Sequence, residues 1–335
     1  MFDDFAVPQT SASKTAVKTS VAMCTYDGER FLQDQLVSIS SQSRLPDEMV
    51  VCDDNSSDET WSILCSFSKS APFPVRLIRN ERNLGVVENF EKALRLTSGD
   101  VVFLSDQDDV WRIDKIERIS EHFETNPATG MVITDAEMVD ENLSPQEHSL
   151  WHFWRMSERD HRDYKRDLFR FLLTNRNVCT GATAAVRKSI IAASLPLPRS
   201  KAILHDAWLA LVSASLSTVF ADPEQLIKYR QHSGQMCGVR TVRPKIDREH
   251  YFAQRDYLIR LRQIITDHPC PATSVRLTLV NGYIKHLDSR VKMPDRLIGR
   301  ILPVLMELSL GRYHRYSSGH RSAAKDLLKY VGNDA

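Results

Sequence analysis

Residues 101–111 read VVFLSDQDDVW, which places three carboxylates within four residues directly after a short apolar run. An apolar run of this length that ends in a polar turn is typical of a buried strand. Similar runs occur at 21–24, 49–52 and 75–78, and the segments between them repeat apolar residues at helical spacing. Alternating strands and helices predict βαβ units, and therefore an α/β fold built on a mostly parallel sheet.

Polar clusters follow three of these runs, at residues 25–27, 53–56 and 106–109. In an open α/β sheet, ligands bind in the crevice outside the carboxyl ends of the strands, so the three clusters predict one shared site. The first run is not followed by G-x-G-x-x-G, and the chain contains no G-x-x-x-x-G-K-[ST]. These absences argue against an ordinary dinucleotide site and against a P-loop.

Asp106, Asp108 and Asp109 carry three negative charges with no cation among them. Carboxylate oxygens are the ligands that Mg²⁺ and Mn²⁺ prefer, and such ions often complete their coordination with substrate phosphates. The same residues also suit a solvated turn whose aspartates cap the following helix. The motif alone leaves both interpretations open.

The composition is that of an ordinary globular protein. Of the 335 residues, 42% are hydrophobic and 26% are charged, with 44 Lys and Arg against 43 Asp and Glu. No apolar run reaches the roughly 18 residues that a membrane-spanning helix needs. The six cysteines show no metal-binding spacing, and as buried thiols they indicate a reducing cytoplasm.

Charge is distributed unevenly along the chain. Residues 240–335 carry 18 Lys and Arg against 9 Asp and Glu, whereas the preceding part has a net charge of −8. Within residues 295–312, apolar side chains share one helical face flanked by arginines, a pattern that allows peripheral contact with an anionic membrane. Packing on the same chain or on a partner subunit of an oligomer also explains this face. No groove-reading or base-stacking motif accompanies the charge, so no nucleic-acid partner is expected.

Further motifs follow in a fixed order. They are Val21 to Tyr26, Glu29, Asp53 to Asp58, Asn83 to Gly85, Asn89, Gly99-Asp100, Leu104 to Trp111 and Lys115. In these motifs the chain resembles the family 2 glycosyltransferases, and residues 105–111 resemble their rhamnosyltransferase branch. The resemblance covers roughly residues 19–232. The resemblance implies an inverting enzyme of the GT-A fold, with a Rossmann-like, mixed and mostly parallel sheet flanked by helices. A mainly helical C-terminal extension is expected to follow.

The resemblance also implies a nucleotide-sugar donor and a divalent cation, Mg²⁺ or Mn²⁺. The implied donor-binding residues are Thr25, Tyr26, Asp53, Asp54, Asn83, Gly85 and Asp106. The implied metal ligands are Asp106 and Asp108, and Asp109 is either a further ligand or a structural cap. For Asn83 and Gly85, a cap of the helix that starts at residue 86 is an equally open interpretation.

An inverting transfer needs a base that takes the proton of the acceptor hydroxyl, and the resemblance implies Asp206 in this role. The alternatives are an N-capping Asp206 without catalytic duty and His205 as a rival base. The residues implied at the acceptor or the diphosphate are Gly181, His205, Trp208, Arg230 and His232. Tight strand packing for Gly181, and a surface-loop position for Arg230 and His232, remain open.

The expected organisation is a flexible lead-in (1–18), a glycosyltransferase domain (19–240) and a basic helical region (241–335). The domain divides into a nucleotide-binding half (19–135) and an acceptor half (136–240). The expected function is transfer from a nucleotide-diphosphate sugar, with dTDP-rhamnose as a candidate, to a saccharide or lipid-linked acceptor in surface polysaccharide synthesis. A sugar-1-phosphate nucleotidyltransferase and a non-catalytic nucleotide-sugar binding protein are the alternatives. The expected location is the cytoplasm, with peripheral contact at the inner face of the cell membrane.

Overall fold

The computed structural model describes residues 16–154, 162, 166–174, 177–200, 202–235, 248–294 and 296–328. The strands in these residues are β1 (Thr19–Thr25), β2 (Glu48–Asp53), β3 (Val75–Arg79), β4 (Val101–Ser105), β5 (Val110–Trp111), β6 (Thr129–Val139), β7 (Pro145–Ser149), β8 (Ala184–Arg187) and β9 (Thr218–Arg230). They form one sheet in the order β3-β2-β1-β4-β8-β6-β9-β5, with β7 paired to β6. Strands β5, β7 and β8 run opposite to the other strands, so the predicted mostly parallel sheet is confirmed.

Helices flank the sheet and make up the described C-terminal part. Their bounds are Glu29–Ser40, Thr60–Ser70, Val86–Leu96, Lys115–Thr125, Leu150–Phe153, Leu168–Thr174, Lys188–Ser194, His205–Leu216, Arg248–Asp267, Thr273–Val291, Leu297–Ser309, Arg312–Tyr316 and His320–Leu328, with a 3₁₀ turn at Gly181–Thr183. The predicted helical C-terminal region is thereby confirmed. Most of the predicted lead-in and the predicted boundary at 240/241 lie outside the described residues. In the part of the chain that is described, no helix combines the length and hydropathy needed to cross a membrane.

Alternate residues of the central strand β1 point to opposite faces of the sheet. Ala22 and Cys24 belong to a buried cluster that includes the helices Val86–Leu96 and His205–Leu216. Val21 and Met23 belong to a second cluster, with the helix Glu29–Ser40. Successive side chains of a strand point to opposite faces of the sheet. Both sets are buried here because helices cover both faces of a central strand in a parallel sheet.

The C-terminal helices extend the first of these cores. Helices Arg248–Asp267 and Thr273–Val291 pack on each other, and their buried residues share a cluster with Trp208. A separate small cluster of Met293, Val304, Tyr313 and Ala323 joins the last three helices. The first two C-terminal helices therefore pack as part of the sheet-bearing body.

The parallel register brings the predicted site residues to one edge of the sheet. Thr25 at the end of β1 pairs with Asp53 at the end of β2, and Met23 of β1 pairs with Ser105 at the end of β4. The turns after these three strands therefore leave the sheet at the same edge, where ligands of parallel sheets bind.

Candidate active site

A cavity of about 280 Å³ opens at this edge of the sheet. Its walls come from the turns after β1, β2 and β4, from the loop before the helix Val86–Leu96, and from the start of the helix His205–Leu216. The residues predicted from the sequence that line it are Thr25, Tyr26, Asp54, Asn83, Gly85, Asp106, Asp108, Gly181, His205, Asp206 and His232. Three other predicted residues, Asp53, Trp208 and Arg230, lie outside this lining.

Four acidic residues, Asp54, Asp106, Asp108 and Asp206, line this cavity. Burial, together with the negative charges of Asp108 and Asp206, raises the pKa of Asp106 to about 7. Lys115 lies buried nearby, where its Nζ donates to the Ala182 carbonyl at 2.7 Å, and burial lowers its pKa to about 7. The cavity thus concentrates negative charge in a setting where a bound cation would stabilise the carboxylates.

Asp108 and Asp109 occupy different environments although they are adjacent. Asp108 Oδ2 lies 2.8 Å from His232 Nε2, and both side chains line the cavity. Asp109 is fully buried, and its Oδ1 accepts the backbone N–H of Arg230 at 3.1 Å. Asp109 therefore connects the turn after β4 to the end of β9. This contact favours a structural role for Asp109 over a role as a further metal ligand.

Arg230 lies behind the cavity wall. Its side chain is 2% exposed, its Nε donates to the Asp108 carbonyl at 2.8 Å, and its Nη1 donates to the Glu141 carbonyl at 2.6 Å. Its Nη2 donates to Asp34 Oδ2 at 2.8 Å, and the guanidinium lies over the Phe31 ring. Because all three of these donors bond to protein, the interpretation of Arg230 as a diphosphate ligand or surface-loop residue is corrected to a structural role.

We expect Arg230→Met to lower the free energy of unfolding by about 2–4 kcal/mol, because the Asp108 and Glu141 carbonyls lose their buried donor. Chemical denaturation followed by circular dichroism measures the loss. Arg118→Met is the matched control, since Arg118 Nη2 lies 3.9 Å from Glu224 and the two side chains are 43% and 45% exposed. Its expected cost is below about 1 kcal/mol. Equal losses in the two variants would be inconsistent with this role of Arg230.

Asp54 holds the loop at the rim of the cavity. Its carboxylate accepts the backbone N–H groups of Leu84 and Gly85, each at 2.8 Å, and the Asn80 side-chain amide at 2.8 Å. Gly85 has a φ of +83°, a conformation that glycine adopts without strain. Asp54 therefore fixes the position at which Asn83 and Gly85 meet the cavity.

Asp53 lies one layer deeper than Asp54. It is fully buried, and its Oδ1 accepts the Thr25 hydroxyl at 2.9 Å while its Oδ2 accepts the Ser56 backbone N–H at 3.0 Å. Arg79 Nε lies 3.6 Å from the same carboxylate. The predicted contact of Asp53 with the nucleoside is corrected, because this carboxylate is enclosed and positions Thr25 instead.

Gln107 connects the turns after β1 and β4, and the sequence interpretation missed it. Its side-chain oxygen accepts the Tyr26 N–H at 2.8 Å, and its amide nitrogen donates to the Tyr26 carbonyl at 3.0 Å. A Cβ at Gly28 would approach the Gln107 side chain to 2.3 Å, so a larger residue at position 28 would displace the Gln107 amide from Tyr26. Its position between Asp106 and Asp108 is a sequence signal, but a neutral amide adds nothing to the charge pattern that marks this turn.

Asp206 lies half-buried in the first turn of the helix His205–Leu216. Its Oδ2 accepts the Gly181 N–H at 3.2 Å, and its Oδ1 accepts the Ala207 N–H at 2.6 Å. These two backbone donors orient the carboxylate, which also lines the cavity that Asp106 and Asp108 line.

His205 is buried beside Asp206 and stacks on Phe90, with ring centroids 4.0 Å apart. Neither ring nitrogen has a hydrogen-bond partner among the described residues. Burial lowers the pKa of His205, which favours the neutral ring with one donor and one acceptor nitrogen. His205 also lines the cavity, although both of its ring nitrogens are enclosed by protein.

Trp208 is predicted to lie at the acceptor or the diphosphate, and the structure places it elsewhere. Its side chain is fully buried, and its indole N–H donates to the Ser194 carbonyl at 2.9 Å. Residues two positions apart on a helix point in nearly opposite directions, so a helix that presents Asp206 to the cavity turns Trp208 into the core. The predicted contact of Trp208 with an acceptor is therefore wrong.

The family model described as Glycosyl transferase family 2 matches residues 20–194, which is more than half of the chain. The chain belongs to glycosyltransferase family 2. The family resemblance predicted from the sequence is thereby confirmed. The match includes Asp106 and Asp108 and ends before His205 and Asp206, so the cavity geometry is what relates the two groups of residues.

Two curated relatives of this family 2 chain illustrate its similarity. An uncharacterized glycosyltransferase of Nostoc sp. is 27% identical over 220 residues, which cover 64% of this chain and 65% of the relative. The dTDP-rhamnosyl transferase RfbG of Shigella flexneri is 33% identical over 99 residues, which cover 28% of this chain and 34% of RfbG. The chain therefore spans less than two thirds of the length of these relatives.

The fold is also similar to that of a solved structure, residues 1–349 of S. aureus TarS in complex with UDP-GlcNAc. The TM-score is 0.59 at 14% sequence identity, and the superposition covers 93% of this chain and 89% of the TarS chain. The predicted GT-A fold of this family 2 chain is confirmed.

The acidic cluster of this family 2 chain fits a divalent cation in its chemistry. The carboxylate oxygens of Asp106 and Asp108 are hard ligands of the kind that Mg²⁺ and Mn²⁺ take. Among the described residues, no three His, Cys, Asp or Glu side chains converge as a ready-made metal site. A cation at this cluster therefore needs further oxygen ligands from water or from a bound substrate.

Proposed function

We propose that this chain is a metal-dependent, inverting glycosyltransferase. It moves a sugar from a nucleoside-diphosphate donor to a hydroxyl group of a saccharide or lipid-linked acceptor. The observation that carries the proposal is that Asp206 lines the same cavity as Asp106 and Asp108, although it lies outside the family match. An inverting transfer needs this combination of acids, because the base is separate from the groups that hold the donor.

In the proposed reaction, the acceptor hydroxyl oxygen attacks the anomeric carbon of the donor sugar. The bond between that carbon and the diphosphate oxygen breaks, and the nucleoside diphosphate leaves with the bonding electron pair. Asp206 takes the hydroxyl proton. The backbone N–H groups of Gly181 and Ala207 hold the Asp206 carboxylate in one orientation, so the base is in place before the acceptor arrives.

The donor end of the cavity is assigned to the turns after β1, β2 and β4. Asp106 and Asp108 would hold the Mg²⁺ or Mn²⁺ ion, which when bound offsets the negative charge that the departing diphosphate gains. Tyr26 and Asn83 line the cavity on loops that Gln107 and Asp54 fix, which suits them to frame the nucleoside.

We propose dTDP-rhamnose as the first candidate donor and UDP-sugars as the second. The first candidate is supported by the rhamnosyltransferase-like form of residues 105–111 and by the name of RfbG as a dTDP-rhamnosyl transferase. UDP-sugars are included because TarS, which shares the fold, was solved with UDP-GlcNAc.

A thermal-shift panel tests the proposed donor binding. The chain is melted with dTDP-, UDP- and GDP-sugars, each with and without Mn²⁺. A ligand at about 100 times its Kd stabilises the native state by about 2.7 kcal/mol, so a donor with the preferred base should raise the Tm when the metal is present. If no nucleotide sugar in the panel raises the Tm, the proposal fails.

Product analysis separates the transferase from the two alternative functions. A transferase releases a nucleoside diphosphate and glycosylates an acceptor. A sugar-1-phosphate nucleotidyltransferase releases pyrophosphate from a nucleoside triphosphate and a sugar 1-phosphate. A non-catalytic binding protein binds the donor without turnover across a panel of saccharide and lipid-linked acceptors. Only the first of these results supports the proposal, and either of the others excludes it.

We propose that one ring nitrogen of His205 hydrogen-bonds the acceptor, so His205→Phe should raise the KM for the acceptor about 3- to 10-fold, the cost of one hydrogen bond. Stability should not fall, because stacking on Phe90 is kept and no protein hydrogen bond among the described residues is lost. His122→Phe is the control for the KM, since His122 stacks on Phe220 at the same 4.0 Å distance and does not line the cavity. Its Tm is not compared, because His122 Nε2 lies 3.1 Å from Thr129 Oγ1 and Phe loses this hydrogen bond. A lower Tm with an unchanged KM in His205→Phe would assign His205 to packing alone.

A further inference from the structure

The helix Leu297–Ser309 turns its apolar side chains outward. Its exposed apolar residues, together with the one directly after it, are Leu297, Ile298, Ile301, Leu302, Leu305, Met306 and Leu310, and we call this set the apolar stripe. Ile298 and Leu302 are 84% and 68% exposed. Arg300, Val304 and Glu307 are buried on the opposite side. Of the interpretations left open by the sequence, packing of this face on the same chain is not found among the described residues.

Buried charged groups fix this orientation of the helix. Glu307 Oε2 lies 2.7 Å from His286 Nδ1, and Glu307 Oε1 accepts from Arg312 Nη1 at 2.7 Å. Arg300 Nη1 donates to the Asp326 carbonyl at 3.2 Å. Rotating the helix to bury the apolar stripe would break these contacts and leave charges without partners. The outward stripe is therefore built into the packing of this region.

Within residues 296–328, which include the apolar stripe, the exposed charges have one sign. The acidic residues within 296–328 are Glu307 and Asp326, and both are buried, with Asp326 paired to Arg290 at 2.7 Å. The exposed Lys and Arg residues of this segment are Arg296, Arg315, Arg321 and Lys325. Helices Arg312–Tyr316 and His320–Leu328 pack against the helix that bears the stripe. An apolar strip thus lies on a surface whose exposed charges, within residues 296–328, are all positive.

We propose that the apolar stripe docks this chain on an anionic lipid bilayer. Apolar side chains enter the boundary between headgroups and acyl chains, while the neighbouring cations contact anionic headgroups, and both contributions strengthen interfacial binding. A second copy of the chain fits this surface less well. A two-fold contact through the stripe would bring two positive surfaces together, and like charges repel.

Docking through this surface goes beyond the proposed function and does not depend on it, because the residues of the stripe do not line the candidate active site. With a lipid-linked acceptor, docking would bring the chain to the membrane that carries the substrate. If the chain binds vesicles but does not bind nucleotide sugars, the docking proposal is supported and only the proposed function is excluded.

Flotation with lipid vesicles tests the docking. The whole chain is mixed with vesicles of phosphatidylcholine alone or of phosphatidylcholine with phosphatidylglycerol. We expect it to float with the anionic vesicles, and less so at high salt. The triple variant I298S/L302S/L305S should bind at least about tenfold more weakly, because it removes apolar area that inserts. The matched control is V275S/I113S, which changes two exposed apolar residues outside the stripe and should bind like the wild type.

A second variant separates the contribution of charge. R321Q/K325Q should lose much of the preference for anionic over neutral vesicles while it keeps the apolar stripe. Sedimentation velocity on the same samples reports the oligomeric state, and circular dichroism verifies that each variant is folded. Equal vesicle binding by the wild type and the triple variant would overturn the proposal. The proposal would also be overturned if the wild type is a dimer that does not bind vesicles and the triple variant is a monomer.

Discussion

Replacing Asp206 with Asn should lower kcat about 10²- to 10⁴-fold, the contribution that a general base commonly makes. The Gly181 N–H bonds to Oδ2 and the Ala207 N–H to Oδ1, so asparagine, with one oxygen, keeps one of these two hydrogen bonds. The turns after β1, β2 and β4 are unchanged, so the donor site should remain intact. It cannot take a proton from the acceptor hydroxyl. Donor affinity should therefore stay near the wild-type value, as measured by calorimetry, while release of nucleoside diphosphate in a steady-state assay falls.

Two comparisons make the Asp206→Asn result specific. Asp256→Asn changes an exposed aspartate on the helix Arg248–Asp267, and it should retain normal turnover. His205→Phe tests the rival base, because it keeps the carboxylate. If Asp206→Asn turns over normally while His205→Phe loses about 10²-fold or more, the base is His205 and the assignment of Asp206 is wrong.

Replacing Asp108 with Ala should abolish the Mn²⁺ dependence of donor binding and weaken that binding about 10²-fold. The physical reason is that Asp108 supplies a hard oxygen ligand at the point in the cavity where negative charge accumulates. Removal of the metal from the wild type with a chelator should produce a loss of similar size. The chelator should then have no further effect on the variant, which calorimetry with and without Mn²⁺ measures directly.

Asp109→Asn is the neighbouring control for this prediction. Asp109 is enclosed and accepts the Arg230 backbone N–H, an interaction that asparagine can keep. The Asp109→Asn variant should therefore still bind the donor in a Mn²⁺-dependent manner. Unchanged Mn²⁺-dependent affinity in Asp108→Ala, or loss of that dependence in Asp109→Asn alone, would show that the metal ligand is misassigned.

Local pattern was sufficient for the half of the fold that carries the donor site. The apolar runs of β1, β2 and β4 are buried strands, as predicted, because each is short, continuous and followed by a polar turn. The parallel register follows from the helical crossovers between these strands. It explains why residues from three separate turns, Tyr26, Asp54 and Asp106 among them, reach one cavity.

Contacts between distant segments were not predictable in the same way. The hydrogen bond from Arg230 to the Asp108 carbonyl joins residues 122 positions apart, and no local sequence pattern predicts it. The Trp208 prediction failed for a different reason. A residue next to a proposed catalytic side chain in the sequence need not face the same way on a helix, and here the indole lies in the core.

The helix Leu297–Ser309 shows a third limit of sequence patterns. The sequence predicts an amphipathic helix, but the pattern alone does not say which side faces inward. The buried His286–Glu307 contact, between residues 21 positions apart, and the enclosed Arg300 decide this point by holding the polar side against the chain. The hydrophobic face of a helix usually packs against the protein. Here the polar face packs inward because its charged side chains have partners inside, and the hydrophobic face is exposed.

The most direct test of the account is a crystal structure of the chain grown with Mn²⁺ and the preferred nucleoside diphosphate, with the metal located by its anomalous scattering. The account predicts the metal on Asp108, the diphosphate beside it, and Asp206 facing the side of the cavity left for an acceptor. Metal and nucleotide bound away from Asp106 and Asp108, or a nucleotide that separates Asp206 from the remaining open cavity, would contradict it.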